Sequence, residues 1–97
     1  MGQEFKIIRN KNPYIPQFSL VGDFDATAAK SLVEAMQKEA SAERIIINTN
    51  CISRVMSGAV ESHSRAFSEI RWLHGRVVFC GERAPDIVPR GAIALHF

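Results

Sequence analysis

The sequence predicts an α/β fold, with a mixed sheet of about five strands in the order β-β-α-β-α-β-β and helices packed on it. Two short runs, residues 44–48 and 76–80, are apolar and rich in β-branched side chains. Such runs are typical of central parallel strands covered on both faces. Segments with helical periodicity separate the strands, and strand–helix–strand units of this kind form parallel sheets with right-handed crossovers.

The first two strands are predicted at residues 4–9 and 17–21, where apolar and polar side chains partly alternate. Between them, residues 10–16 contain Asn10, Asn12, Pro13 and Pro16, which indicates a turn. Because this connection is short, the two strands are expected to pair as an antiparallel hairpin at the edge of the sheet.

The first helix is predicted from Thr27, after residues 22–25 break the strand and Asp25 provides an N-cap. Its apolar face has helical spacing, and the members are Ala29, Leu32, Val33, Met36 and Ala40.

The second half of the chain is predicted to alternate between strands and helices. After the strand at 44–48, residues 49–56 form a loop, and Ser57 caps a helix that runs to about Leu73 and stops at Gly75. The strand at 76–80 follows, and Pro85 and Pro89 limit residues 82–91 to one helical turn at most. Residues 92–95 form the last strand.

Composition excludes several classes of function. The 97 residues suit one domain, residues 1–97, and their charge of +2 comes from 12 basic and 10 acidic side chains with no basic cluster. Nucleic acid is therefore not an expected partner. No apolar stretch is long enough to span a membrane, and the N-terminus does not resemble a signal peptide, so we expect a cytoplasmic protein.

Cys51 and Cys80 are predicted to be buried free thiols.

The sequence contains little that indicates a catalytic site or a cofactor site. A Cys51–His63 nucleophile would place a cysteine after a strand near a histidine on the next helix, but His63 also falls on that helix's apolar stripe, where a packing role is expected. Asp23 and Asp25 offer too few oxygen ligands for a metal site, and Asp23 is either an exposed turn residue or a partner contact. There is no phosphate-binding glycine motif. We therefore expect no enzyme, no cofactor and no metal.

Four segments together resemble the STAS domain, the fold of bacterial anti-sigma factor antagonists. Residues 18–25, followed by Thr27, look like the family's strand, its Gly-Glu-Leu-Asp motif and its first helix. Residues 44–48 and 75–81 are similar to two central strands, and residues 55–58 (Val-Met-Ser-Gly) stand where the family has Asp-Ser-Ser-Gly. The likeness extends over roughly residues 5–95.

The resemblance implies a module that binds a protein partner, often a kinase-like anti-sigma factor, and is released by serine phosphorylation. It implies that the contacts come from Asp23, Asp25, Met56, Ser57 and Gly58. Other members serve in stress signalling, on anion transporters or in lipid transport.

The chain departs from the family at the phosphorylation loop and at the C-terminus. Val55 replaces the family's aspartate and Met56 replaces its phosphorylated serine, so only Ser57 remains as a possible phosphorylation site. The usual switch is therefore expected to be missing, and Met56 either faces a partner or packs inward. The C-terminal helices are expected to be shortened or absent, and the exposed last strand favours either a homodimer or docking on a larger partner.

The sequence thus predicts a non-enzymatic regulatory module that binds a signalling or transport protein. The alternative is a sensory or transporter-accessory module that holds a small anion or a lipid at the helix N-terminus around Ser57, where free amides favour negative charge.

Overall fold

A computed structural model describes residues 4–12 and 14–95 of the chain. Pro13, which belongs to the predicted turn, lies outside this range, as do residues 1–3 and 96–97. The strands are β1 (Lys6–Arg9), β2 (Gln17–Phe24), β3 (Ile45–Val55), β4 (Val77–Cys80) and β5 (Ile93–Leu95). The helices are α1 (Ala26–Gln37), α2 (Ser57–Glu69) and the single turn α3 (Ala84–Ile87), with a 3-10 turn at Arg71–Leu73.

The five strands form one mixed sheet in the order β1-β2-β3-β4-β5. The hairpin is antiparallel, as predicted, and β2 to β5 are parallel to one another. Because each right-handed crossover advances by one strand in the same direction, all three helices lie on the same face of the sheet. All four residues of β4 are buried, as expected of a central strand that is covered on both faces.

The strand β2 continues through the segment that the sequence predicts as a break. Gly22 has φ of 98° and lies where the pairing with β3 shifts register. Glycine adopts this conformation without steric cost, so a bulge forms and the strand resumes. Asp23 and Phe24 therefore belong to β2 instead of a loop.

The strand β3 is more than twice as long as predicted, because residues 49–55 are extended and do not form a loop. This outer half pairs with β2 only, since the ladder to β4 ends at Asn48 and Cys80. Its polar side chains bind the end of β4 and the loop that follows: the hydroxyl of Thr49 donates to the Cys80 carbonyl at 2.8 Å, and the Asn50 Oδ1 accepts from the Glu82 amide at 2.9 Å.

The core lies between the sheet and the helices α1 and α2. Its largest fully buried apolar side chains are Phe24, Phe67, Phe79, Leu20, Leu32, Met36, Ile45, Ile47, Leu73 and Ile87. The helix α2 ends at Glu69, before the predicted Leu73, because the chain tightens into the 3-10 turn. The one-turn α3 confirms the shortened C-terminal helix.

The two cysteines differ in exposure. Cys80 is buried, as predicted, and its burial raises the pKa of the thiol. Cys51 is exposed, so the prediction of a buried thiol is wrong there. It pairs with Val21 in the outer half of β3, which β4 does not flank.

Candidate functional site

The carboxyl ends of β2 and β3 lie side by side, and this brings two of the predicted site segments together. Phe24 pairs with Val55 at the end of the parallel ladder. The amide of Met56 then donates to the Phe24 carbonyl at 3.0 Å. Asp25 and Met56 therefore begin two neighbouring strand–helix connections at one edge of the sheet. We call residues 55–58 the site loop.

Asp25 is the N-cap of α1, as predicted. Its backbone is extended, and its Oδ1 accepts a hydrogen bond from the Ala28 amide at 2.8 Å. A carboxylate in this position accepts a hydrogen bond from one of the unpaired amides at the start of the helix. Its negative charge also interacts favourably with the positive end of the helix dipole. The side chain thus has a structural task, and the residue remains exposed beside the site loop.

Asp23 is buried, with 6% of its surface accessible, so its description as an exposed turn residue is wrong. Its Oδ2 accepts a hydrogen bond from the Arg54 guanidinium at 3.0 Å, across the ladder between β2 and β3. This bond raises the pKa of Arg54. Arg54 is not recognisable as a site residue from the sequence, because only the register of the two strands places it opposite Asp23.

Met56, Ser57 and Gly58 form the start of α2 on the surface. Met56 is the N-cap and makes no side-chain capping bond, so the predicted cap at Ser57 is wrong and Ser57 is the first helical residue. Met56 is 36% exposed, and both Ser57 and Gly58 are exposed. The methionine is therefore not packed into the core, and the loop presents an apolar side chain next to the first amides of a helix.

The Cys51–His63 pair required for nucleophilic catalysis is not formed. In the described part of the chain, neither ring nitrogen of His63 has a hydrogen-bond partner. His63 is fully buried among aromatic rings, as the packing interpretation predicts, and burial lowers its pKa to about 4. His74 has a structural contact as well, because its Nε2 lies 3.1 Å from the Phe67 carbonyl near the end of α2.

Other kinds of site are not evident in residues 4–12 and 14–95. No group of three His, Cys, Asp or Glu side chains there could hold a metal ion. Within the same residues, no helix is long and apolar enough to cross a membrane. Two cavities lie away from the site loop: one of about 480 Å³ beside Tyr14 and Glu43, and a groove of about 300 Å³ between α1 and α2.

No protein-family model matches the sequence, and no curated protein matches it significantly. Solved structures do match. An anti-sigma factor antagonist from Mycobacterium paratuberculosis is 14% identical with a TM-score of 0.57, over 80% of this chain and 69% of that one. The unphosphorylated anti-sigma factor antagonist SpoIIAA is 16% identical with a TM-score of 0.56, over 95% and 87% of the two chains.

A third similar structure is an uncharacterised protein of the DUF3478 family from Shewanella loihica, which has a SpoIIAA-like fold. It is 12% identical, with a TM-score of 0.51, over 100% of this chain and 87% of that one. The TM-scores, which are all above 0.5, show a shared fold despite the low identities. The chain therefore has the fold of the anti-sigma factor antagonists, which is the STAS-like fold that its sequence resembles.

Proposed function

We propose that the chain is a non-enzymatic regulatory module that binds a protein partner through the site loop, without the family's usual phosphoserine switch. The observation that carries the proposal is the exposed Met56 at the N-cap of α2, where the resemblance expects a phosphorylated serine. A partly exposed methionine suits an interface because its flexible, polarisable side chain adapts to an apolar pocket.

The surroundings of Met56 support this role. The loop is held by the bond from its own amide to Phe24, so the side chain is presented by a fixed backbone and not by a flexible segment. Asp25 lies on the adjacent connection, and Arg54 is held by Asp23 just before Val55. Of the two aspartates, Asp25 is available to a partner, whereas Asp23 acts by fixing the arginine.

The proposal predicts that Met56→Asp abolishes capture of the partner. A charge in a desolvated interface is costly, so we expect at least about a tenfold loss of affinity. The measurement is affinity capture from lysate of the source cells, with bound proteins quantified by mass spectrometry. Ile8→Asp is the matched control, because Ile8 is also exposed and apolar (57% accessible) but lies on β1, away from the loop.

Loss of one protein with Met56→Asp and its retention with Ile8→Asp would support the proposal. Equal retention or equal loss with both variants would contradict it. Ser57→Asp is the second variant at the loop. A negative charge in the first turn of α2 interacts favourably with the helix dipole, so the variant is expected to fold. Any loss of partner capture is then due to the changed interface.

We also propose that a second copy of the chain associates through β5. Ile93 and Leu95 are 41% and 42% exposed on this edge strand, which carries no charged residue of the kind that blocks edge-to-edge pairing. Leu95→Lys is expected to convert a dimer into a monomer in light scattering after size-exclusion chromatography. A wild-type chain that elutes as a monomer at high micromolar concentration would refute this arrangement.

A further inference from the structure

His63 is the one buried side chain in the described residues whose polar atoms all lack partners. It lies on α2, and none of its surface is accessible. A neutral imidazole has one nitrogen that donates and one that accepts, and both are left unsatisfied here. Such a site tolerates the neutral ring and opposes the imidazolium, because a buried charge without a partner is strongly disfavoured.

Three phenylalanine rings surround His63. Phe24 meets it edge-on at a centroid distance of 5.7 Å, Phe79 also lies at 5.7 Å, and Phe67 lies at 6.3 Å. The imidazole therefore joins α2 to β2 and β4 through ring contacts alone. These contacts depend on the ring being in place.

Phe24 connects this enclosure to the site loop. Its ring packs on His63, while its carbonyl accepts the Met56 amide that begins α2. If the His63 ring moved out of the enclosure, Phe24 would lose a packing contact, and Phe24 is the residue whose carbonyl holds the N-cap Met56. A single residue, Phe24, therefore links His63 to the site loop.

No described charged group is placed to stabilise a proton on the ring, and burial is the only cause of its lowered pKa. Asp23 and Cys80 lie on the opposite sheet face from Phe24 and Phe79, because successive strand residues alternate. His74 stacks on Phe67. The charged residues of α1, α2 and α3 are all exposed, and they are Lys30, Glu34, Glu61, Arg65, Glu69 and Asp86.

We propose that His63 is an acid-sensitive latch: protonation expels its ring from the aromatic enclosure and frees the first turn of α2, including Met56. The latch itself is a property of the chain alone. Its consequence, acid-dependent release of a partner, rests on the proposed function of the site loop. The test therefore uses the protein without a partner, so that failure of the latch and failure of the partner proposal are separate results.

The measurement is hydrogen exchange of individual amides by NMR at pH 7.5 and pH 5.0, corrected for intrinsic exchange rates. The Met56 amide reports the latch, and the Leu32 amide in the buried face of α1 reports global unfolding. In an opened state the ring titrates near 6.5, so the Met56 protection factor should fall about 30-fold over this range. His63→Leu, similar in volume and unable to titrate, should abolish the fall.

The latch is supported if Met56 is less protected than Leu32 and loses its protection in acid only when His63 is present. It is overturned if Met56 protection does not fall in the wild type, or if the fall persists in His63→Leu. It is also overturned if Met56 and Leu32 have equal protection at both pH values, since the opening is then global. His63→Met serves as the second variant should the leucine fail to fold.

Discussion

Gly22→Ala is expected to be among the most destabilising single substitutions in the chain, by at least about 2 kcal/mol of unfolding free energy. Gly22 has φ of 98°, where side chains other than glycine are strained. The added Cβ would also meet the main chain of Glu4 and Phe5 on the adjoining N-terminal segment. Backbone atoms cannot rotate away as a flexible side chain can, so the bulge or the hairpin must shift.

Gly58→Ala is the matched control. Gly58 lies in the first turn of α2, and apart from its chain neighbours and the backbone of its own helix no atom comes within 4 Å of the added Cβ. Alanine there should be neutral or stabilise the fold by up to about 1 kcal/mol, because it restricts the unfolded chain and favours the helix. Urea unfolding followed by circular dichroism measures both variants. Equal urea midpoints for Gly22→Ala and the wild type would show that the stability of the fold does not depend on glycine at the bulge.

Acid is expected to lower the free energy of unfolding by about 2 kcal/mol between pH 7.5 and pH 5.0 through His63 alone. Burial lowers the pKa of this side chain to about 4 in the folded protein, against 6.5 in the unfolded chain. Between these values the unfolded chain binds the proton and the folded chain does not. Protons therefore favour unfolding as the pH falls through 6.5, and the loss levels off below about 4.

His63→Leu isolates this contribution. Above pH 5, the free energy of unfolding of the variant should no longer depend on pH. At pH 7.5 the variant should be at least as stable as the wild type. Its gain there should reach about 1–3 kcal/mol, because the two unsatisfied nitrogens of His63 disappear. Urea titrations at a series of pH values give the comparison. A wild-type curve parallel to that of the variant would mean that His63 is hydrated or paired in solution.

Local patterns identified most of the sheet and both long helices. The position of Asp25 just before the apolar face of α1 was sufficient to predict an N-cap, and the structure confirms this cap. The apolar runs at β3 and β4 were recognisable because central strands have little polar surface. Pro85 and Pro89 correctly restricted α3 to one turn, since proline removes backbone donors.

The outer half of β3 could not be predicted, because its strand conformation depends on partners distant in sequence. Asn50 and Arg54 resemble loop residues until β2 and the loop after β4 are placed beside them. Asp23 was misassigned for the same reason: only the register opposite Arg54 shows why a carboxylate is buried there. The His63 enclosure likewise depends on β2, β4 and α2 meeting in space, whereas the position of His63 on an apolar stripe was visible from its spacing.

The most direct test of the central claim places a photo-crosslinking amino acid at Met56 and, in a second variant, at Ile8. Both side chains are exposed and apolar, and only Met56 lies in the proposed interface. Irradiation of the source cells followed by mass spectrometry should yield one prominent crosslinked protein from position 56 and not from position 8. Crosslinks to that protein from position 8 alone, or from both positions equally, would contradict the site loop as the partner interface.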